Sequence, residues 1–231
     1  DGHEEAAHPA SIEVRDAGLG VVDQPFAARD VLAFGEGDIA RSWGALLPGG
    51  ETAYFAALHR NKKGIEINLK HARGKEVFYR LIRDADVMIE NFRPGAMESW
   101  GLAPDDLIAQ NSKLIVLRIS GYGQTGPYRN RPGFGVIGEA MGGLRHLTAE
   151  PGRVPVRVGV SIGDTLSALH GVIGILLALQ HRHVTGQGQV IDVALYESVF
   201  NCMESLLPEY SAFGAVRGPA GSALPGIAPT T

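Results

Sequence analysis

The chain has 231 residues, of which 45% are apolar, and this is enough for one large globular domain with a hydrophobic core. The net charge of -4 comes from scattered charged residues, which excludes the basic face of a nucleic-acid binder and predicts no nucleic-acid partner. The single cysteine, Cys202, excludes a disulfide framework, and the acidic N-terminus differs from a signal peptide, so we expect a cytoplasmic protein.

Taken in chain order, the pattern becomes regular only after residues 1–36, an atypical N-terminal segment that we expect to be irregular or poorly ordered. Residues 37–213 form the predicted core, and residues 214–231, rich in Gly and Pro, are typical of a linker. Periodicity predicts strands at 65–69, 87–89, 114–119 and 189–193, and helices at 74–84, from 104, at 134–144, 165–183 and 195–213. This alternation predicts an α/β fold with a mostly parallel sheet.

Several other patterns argue against further kinds of ligand. The longest apolar stretch, residues 166–180, is interrupted by polar and small residues and is too short to span a bilayer, so we expect no membrane partner. The eight histidines lack metal-ligand spacing, and we expect no metal. The glycine-rich segment 121–126 has neither a Walker nor a Rossmann spacing, and the basic turn at 60–64 is more typical of a solvated loop than of a phosphate site.

Asp164 follows Gly163 where the longest predicted helix begins, and two roles are open to it. An acid at this position is commonly an N-cap that accepts hydrogen bonds from free backbone N–H groups, worth about 1 kcal/mol. It is also suited to nucleophilic attack on an acyl carbon, because the helix N-terminus keeps the carboxylate ionised and offers N–H donors to an oxyanion. The residue alone does not decide between the two roles.

A second candidate site is the segment Glu-Asn-Phe-Arg-Pro-Gly at 90–95, directly after a short apolar strand. In open α/β sheets, ligands bind beyond the carboxyl ends of the strands. Asn91 offers an amide, Phe92 a stacking face and Arg93 a guanidinium that suits phosphate. An ordinary strand-to-helix turn is the alternative interpretation.

In combination and in this order, these segments resemble the family III CoA-transferases, which include formyl-CoA transferase, carnitine CoA-transferase and the α-methylacyl-CoA racemases. The likeness extends from about residue 37 to residue 201. The matching segments are residues 60–63, 85–95, 119–127, 131–134, 155–160, 163–164, 174–176 and 185–189.

The resemblance implies a Rossmann-like large domain, a small domain reached through linkers, and a homodimer of two interlocked chains. It places the catalytic aspartate of the family on Asp164, which attacks an acyl-CoA thioester and becomes an aspartyl-CoA intermediate. CoA is then a substrate that moves to a free carboxylic acid, and CoA contacts are expected from Ile67, Asn91, Phe92, Arg93 and Ala96, with Phe134 beside them.

Departures from the family pattern leave alternatives open. The racemases place a histidine and an aspartate where Phe134 and Gly135 stand, so a racemase is the less favoured alternative. Ser99 replaces a common arginine, which leaves one phosphate contact to Arg93. Residues 1–36 do not match the family's opening, and the chain ends where the small domain begins. We therefore expect a truncated member with its small domain largely missing, and an inactive CoA-binding fragment is a further alternative.

Overall fold

A computed structural model describes residues 13–16, 28–32 and 37–224. The chain divides into two compact units, Asp1–Leu81 and Ile82–Thr231. The predicted boundaries at 36 and 213 remain predictions, and the expected irregularity of residues 1–36 lies largely outside the described residues.

The N-terminal unit contains a sheet of three strands, β1 (Glu13–Asp16), β2 (Ala28–Leu32) and β3 (Lys62–Glu66). β3 lies in the centre, antiparallel to β1 and parallel to β2. The prediction of a strand at 65–69 was wrong in its position, because the chain already turns at Asn68, whose side chain accepts a hydrogen bond from the Lys70 N–H at 3.0 Å. The helices of this unit are α1 (Ala53–Leu58) and α2 (Ala72–Arg83), which ends beyond the unit boundary.

The C-terminal unit contains the parallel sheet that the sequence predicts. Its strands are β4 (Val87–Glu90), β5 (Ile115–Ser120) and β6 (Val190–Ala194), in the order β4-β5-β6. The central strand β5 carries consecutive side chains, Ile115, Val116 and Leu117, that are at most 2% exposed. A continuous apolar run is typical of a parallel strand covered on both faces.

Helices connect these strands in the way that the periodicity predicts. β4 is followed by α3 (Ala96–Ser99) and α4 (Pro104–Gln110), and β5 by α5 (Gly135–Met141), α6 (Leu144–Leu147) and α7 (Ile162–Thr185). The prediction of one helix over 195–213 was wrong, since α8 (Leu195–Phe200) and α9 (Leu206–Phe213) are separate. Pro208 lacks an N–H and its ring would clash with the carbonyl of Glu204, where the backbone instead adopts a positive φ of 53°.

Helix α7 packs closely on the sheet through small residues. A Cβ on Gly171 would lie 2.8 Å from Leu117 Cδ2, and one on Gly174 would lie 2.9 Å from Ile191 Cγ2. With 24 residues α7 exceeds the apolar stretch at 166–180, and among the described residues it is the one helix long and apolar enough to cross a membrane. The prediction that this region is too short to span a bilayer was therefore wrong. Core helices of soluble proteins meet the same criterion, and the absence of a membrane partner remains a prediction.

Candidate functional site

The turn between β4 and α3 brings together four of the predicted CoA contacts. Asn91, Phe92 and Arg93 are exposed, and Ala96 is half-buried. The Phe92 N–H donates to Glu90 Oε2 at 2.7 Å, and the Phe92 ring meets Trp100 edge to face with 5.0 Å between centroids. The turn is thus held at its start and presents polar side chains to solvent.

A buried arginine on β5, Arg118, binds the acidic residues Glu90 and Glu98 on either side of this turn. The Arg118 Nε donates to Glu90 Oε1 at 2.6 Å, and its two terminal nitrogens donate to Glu98 at 2.7 Å and 3.2 Å. Arg118 and Glu90 are 6% and 5% exposed, so their charges depend on one another. The hydrogen bond from Arg118 also holds the pKa of Glu98 below its ordinary value. No pattern in the sequence predicted this support, because the three residues belong to different elements.

Asp164 is the third residue of α7, and its carboxylate lies against the first residue of α5. The N-cap of α7 is Ser161, whose side chain makes no capping hydrogen bond, so the interpretation of Asp164 as the N-cap was wrong. A Cβ placed on Gly135 would lie 2.2 Å from Asp164 Oδ2 and 2.7 Å from Asp164 Cγ. Only a glycine at position 135 admits the carboxylate at this place. Phe134, the N-cap of α5, is 72% exposed beside it.

The electrostatic environment makes Asp164 a weaker acid than an ordinary aspartate. Desolvation against α5 raises the pKa of its carboxyl most, and the negative charge of Glu139 raises it further. Arg157 and the backbone N–H of Asp164 lower this pKa, but the net shift is upward. Once ionised, such a carboxylate is more basic than a fully solvated one, which suits a nucleophile.

Glu139 is a residue near the site that the sequence interpretation missed. It lies one helical turn beyond Gly135 on α5, is completely buried, and its Cγ would be 3.4 Å from a Cβ on Gly163. Arg145 Nε and Arg157 Nη2 each lie 3.7 Å from one of its carboxylate oxygens. A single charged residue within the otherwise apolar α5, four positions after Gly135, was the available signal.

The predicted site residues therefore form two groups and one outlier. The turn at 91–96 leaves the carboxyl end of β4, and the loop from Gly121 leaves the carboxyl end of its neighbour β5. A Cβ on Gly121 would be 2.6 Å from Gly133 Cα, which places the Phe134 and Asp164 group at this same edge of the sheet. Ile67 belongs to the N-terminal unit, where it is 4% exposed, and its contact with CoA remains a prediction.

Two cavities lie away from these groups. One, of about 750 Å³, is an open groove along α7 between Ile173 and His183, and another, of about 290 Å³, lies between α8 and α9. Neither is lined by Asp164, Phe134 or the turn at 91–96. The side chains of Asp164, Phe134 and residues 91–93 are exposed.

An aspartate at a helix start and a polar turn, both at the carboxyl edge of a parallel sheet, define a candidate acyl-transfer site. The family model for CoA-transferase family III matches residues 31–231, and the chain belongs to this family. The resemblance that the sequence motifs indicate and the α/β class with a parallel sheet are both confirmed.

Named relatives carry CoA-transferase activities. The chain is 48% identical over 196 residues to succinyl-CoA–D-citramalate CoA-transferase of Chloroflexus aurantiacus. This match covers 85% of the present chain and 49% of the relative. It is 45% identical over 224 residues to the beta subunit of succinyl-CoA–L-malate CoA-transferase of the same organism, covering 92% and 55%. It is 38% identical over 176 residues to succinyl-CoA:glutarate CoA-transferase of Mus musculus, covering 76% and 40%.

Among solved structures, a CAIB/BAIF family protein from Brucella suis matches with a TM-score of 0.79 and 38% identity. The match covers 88% of this chain and 54% of that one. The chain thus spans about half the length of the relatives that it matches.

Proposed function

We propose that this chain carries the acyl-exchange centre of a CoA-transferase, which moves CoA from an acyl-CoA to a free carboxylic acid with Asp164 as the nucleophile. The observation that carries the proposal is the position of the Asp164 carboxylate at the N-terminus of α7. There it lies against Gly135 with a raised pKa. An ionisable oxygen, the positive end of the helix dipole and an exposed approach coincide at this point.

The proposed reaction consists of four balanced transfers. An Asp164 oxygen attacks the thioester carbonyl, the C–S bond breaks, and a mixed anhydride and the CoA thiolate form. The thiolate attacks the aspartyl carbonyl, which releases the donor acid and leaves an aspartyl-CoA thioester. The acceptor carboxylate then attacks this thioester and expels the thiolate, giving a second anhydride. Attack of the thiolate on the acceptor carbonyl yields the new acyl-CoA and frees Asp164.

The turn at 91–96 is the proposed seat of the CoA nucleotide. Arg93 provides a guanidinium for a phosphate, Asn91 an amide for hydrogen bonds and Phe92 a ring for stacking. Ser99 stands at the arginine position of the family, and its hydroxyl donates to the Ala96 carbonyl at 2.7 Å. Arg93 is therefore the cation that we assign to phosphate binding in this segment.

The names of the relatives support a class of substrate. Those of Chloroflexus aurantiacus and Mus musculus use succinyl-CoA with citramalate, malate or glutarate, according to their names. We propose succinyl-CoA as donor and a dicarboxylic acid as acceptor for this chain. Racemisation requires a proton base where Phe134 and Gly135 stand, and neither has a titratable side chain.

The test is CoA exchange by the purified full chain, followed by mass spectrometry with succinyl-CoA and each of malate, citramalate and glutarate. We expect Asp164→Asn to abolish exchange while CoA binding persists, and hydroxylamine to trap a donor-dependent adduct on Asp164 of the wild type. Asp105→Asn is the matched control, because Asp105 is an exposed acid in the first turn of α4. Undiminished exchange by Asp164→Asn would remove Asp164 from the mechanism, and CoA binding without exchange in the wild type would support a binding fragment.

A further inference from the structure

Glu139 has an environment that packing alone does not explain. The side chain is completely buried, yet neither carboxylate oxygen has a hydrogen-bond partner among the described residues, and neither does Arg145 Nε. A buried carboxylate without hydrogen bonds is unfavourable unless charges nearby compensate for the lost water. The role of this carboxylate therefore depends on the charged groups that surround it.

The charged groups around Glu139 come from three neighbouring segments. α6 contributes Arg145, the segment before α7 contributes Arg157, and α7 contributes Asp164. The side of α5 that packs on α8 is apolar, since Cβ atoms on Gly138 and Gly142 would contact Leu195 and Val199. Glu139 thus faces two cations and one carboxylate.

Arg157 interacts electrostatically with two carboxylates. Its guanidinium is 3.7 Å from the buried carboxylate of Glu139, too far for a hydrogen bond but within ion-pair distance. It is also close enough to Asp164 to lower the pKa of that carboxyl. Among the described residues, however, no cation lies within ion-pair distance of Asp164, whereas Glu139 has two.

The distinction matters for nucleophilic attack. A guanidinium that forms a two-pronged pair with a carboxylate occupies both oxygens and disperses their charge. Arg157 is 43% exposed at its side chain, so it is free to reorient if nothing restrains it. The nearest restraint is the negative charge of Glu139.

We propose that Glu139 is a positioning residue for the transfer reaction, whose buried carboxylate holds Arg157 away from Asp164 and so keeps the nucleophile unpaired. The proposal rests on the function proposed above for Asp164. Removal of the Glu139 charge would release Arg157 to pair with Asp164. Removal of Arg157 as well would leave Asp164 unpaired again.

The first experiment needs no substrate. The pKa of Asp164 is measured by ¹³C NMR of protein labelled at the aspartate carboxyls, with the signal assigned from Asp164→Asn. We expect Glu139→Gln to lower the pKa of Asp164 and Arg157→Gln to raise it. In the double variant, the pKa of Asp164 should be higher than in Glu139→Gln alone. Glu76→Gln, a change at an exposed acid on α2, is the control and leaves the pKa unmoved.

The second experiment measures the exchange rate of the same variants. Glu139→Gln should lower kcat by about tenfold, within the range of coupling between neighbouring charges, with KM for acyl-CoA nearly unchanged. Adding Arg157→Gln should restore much of kcat, which a purely structural role for Glu139 would not allow.

The outcomes separate this proposal from the one it rests on. An unmoved Asp164 pKa in folded Glu139→Gln, or a double variant as slow as the single one, would overturn the role of Glu139. If Glu139→Gln does not fold, Arg157→Gln alone decides, and an unchanged Asp164 pKa there would equally overturn it. Unimpaired exchange by Asp164→Asn would instead overturn the proposal that Asp164 is the nucleophile, whatever the NMR titration shows.

Discussion

The contact between Gly135 and Asp164 yields the sharpest prediction, which concerns Gly135→Ala. The added Cβ would lie 2.2 Å from Asp164 Oδ2, 2.7 Å from Cγ and 2.8 Å from Oδ1. All three atoms belong to the end of a short side chain rather than to backbone. Gly135 does not have a positive φ, so alanine introduces no backbone strain. The carboxylate must move, and the fold need not.

The expected magnitude follows from these distances. To bring Oδ2 from 2.2 Å to an ordinary contact of roughly 3.4 Å, the carboxylate must shift by about 1 Å. A misplacement of about 1 Å in a reacting group costs about 100-fold in rate. The stability effect should be small, within about 1 kcal/mol, because an exposed aspartate side chain is able to rotate away.

The assay compares kcat for CoA exchange with the free energy of unfolding in urea. Gly218→Ala is the matched control, because a Cβ on Gly218 would meet nothing within 4 Å. We expect Gly135→Ala to lose about 100-fold in kcat while its unfolding midpoint stays near that of the control. A variant that keeps kcat within twofold would refute the inferred position of the nucleophile. A variant that loses both activity and stability would show that position 135 is structural instead.

Two further predictions follow from the charges at the sheet edge. Asp164 must be ionised to attack, and its pKa is raised by desolvation and by the charge of Glu139. The acid limb of kcat/KM should therefore have its midpoint above the ordinary aspartate range, with the rate falling as pH falls through it, and a midpoint within or below that range would contradict the raised pKa. Arg118→Met should lower the free energy of unfolding by about 3–5 kcal/mol in urea titrations and weaken CoA binding, because it leaves the buried Glu90 unpaired. Asp86→Asn, which removes a surface pair with Arg182, should cost at most about 1 kcal/mol, and equal losses in the two variants would contradict the role of Arg118.

Much of the fold could be predicted because local chemistry determines it. Alternating strands and helices indicated the parallel sheet, and an apolar run such as β5 is recognisable without a structure. The errors arose where side chains redirect the backbone. Asn68 ends β3 earlier than its apolar pattern suggests, and Pro208 separates two segments with continuous helical periodicity. Both residues stand in the sequence, but hydrophobic periodicity alone predicts continuous elements across them.

The candidate site divides in the same way. The turn at 91–96 was predictable, because its residues are neighbours in the chain and follow a strand directly. The support from Arg118 was not, since Glu90, Glu98 and Arg118 become neighbours only through strand pairing and the return of α3. A charged residue in a strand predicts a solvent-facing side chain, and only the tertiary structure shows which charged partners cover it.

The sequence by itself determined the family, the alternation of strands and helices around the parallel sheet, and the acid at the start of α7. Only the tertiary structure decided what surrounds that acid. Gly135 and Glu139 lie close to the start of α7 because α5 and α7 approach closely, and close approach depends on the absence of side chains at Gly135 and Gly163. Such an absence leaves no periodic signal in a sequence, and the balance of charges at Asp164 becomes apparent only when the two helices are packed together.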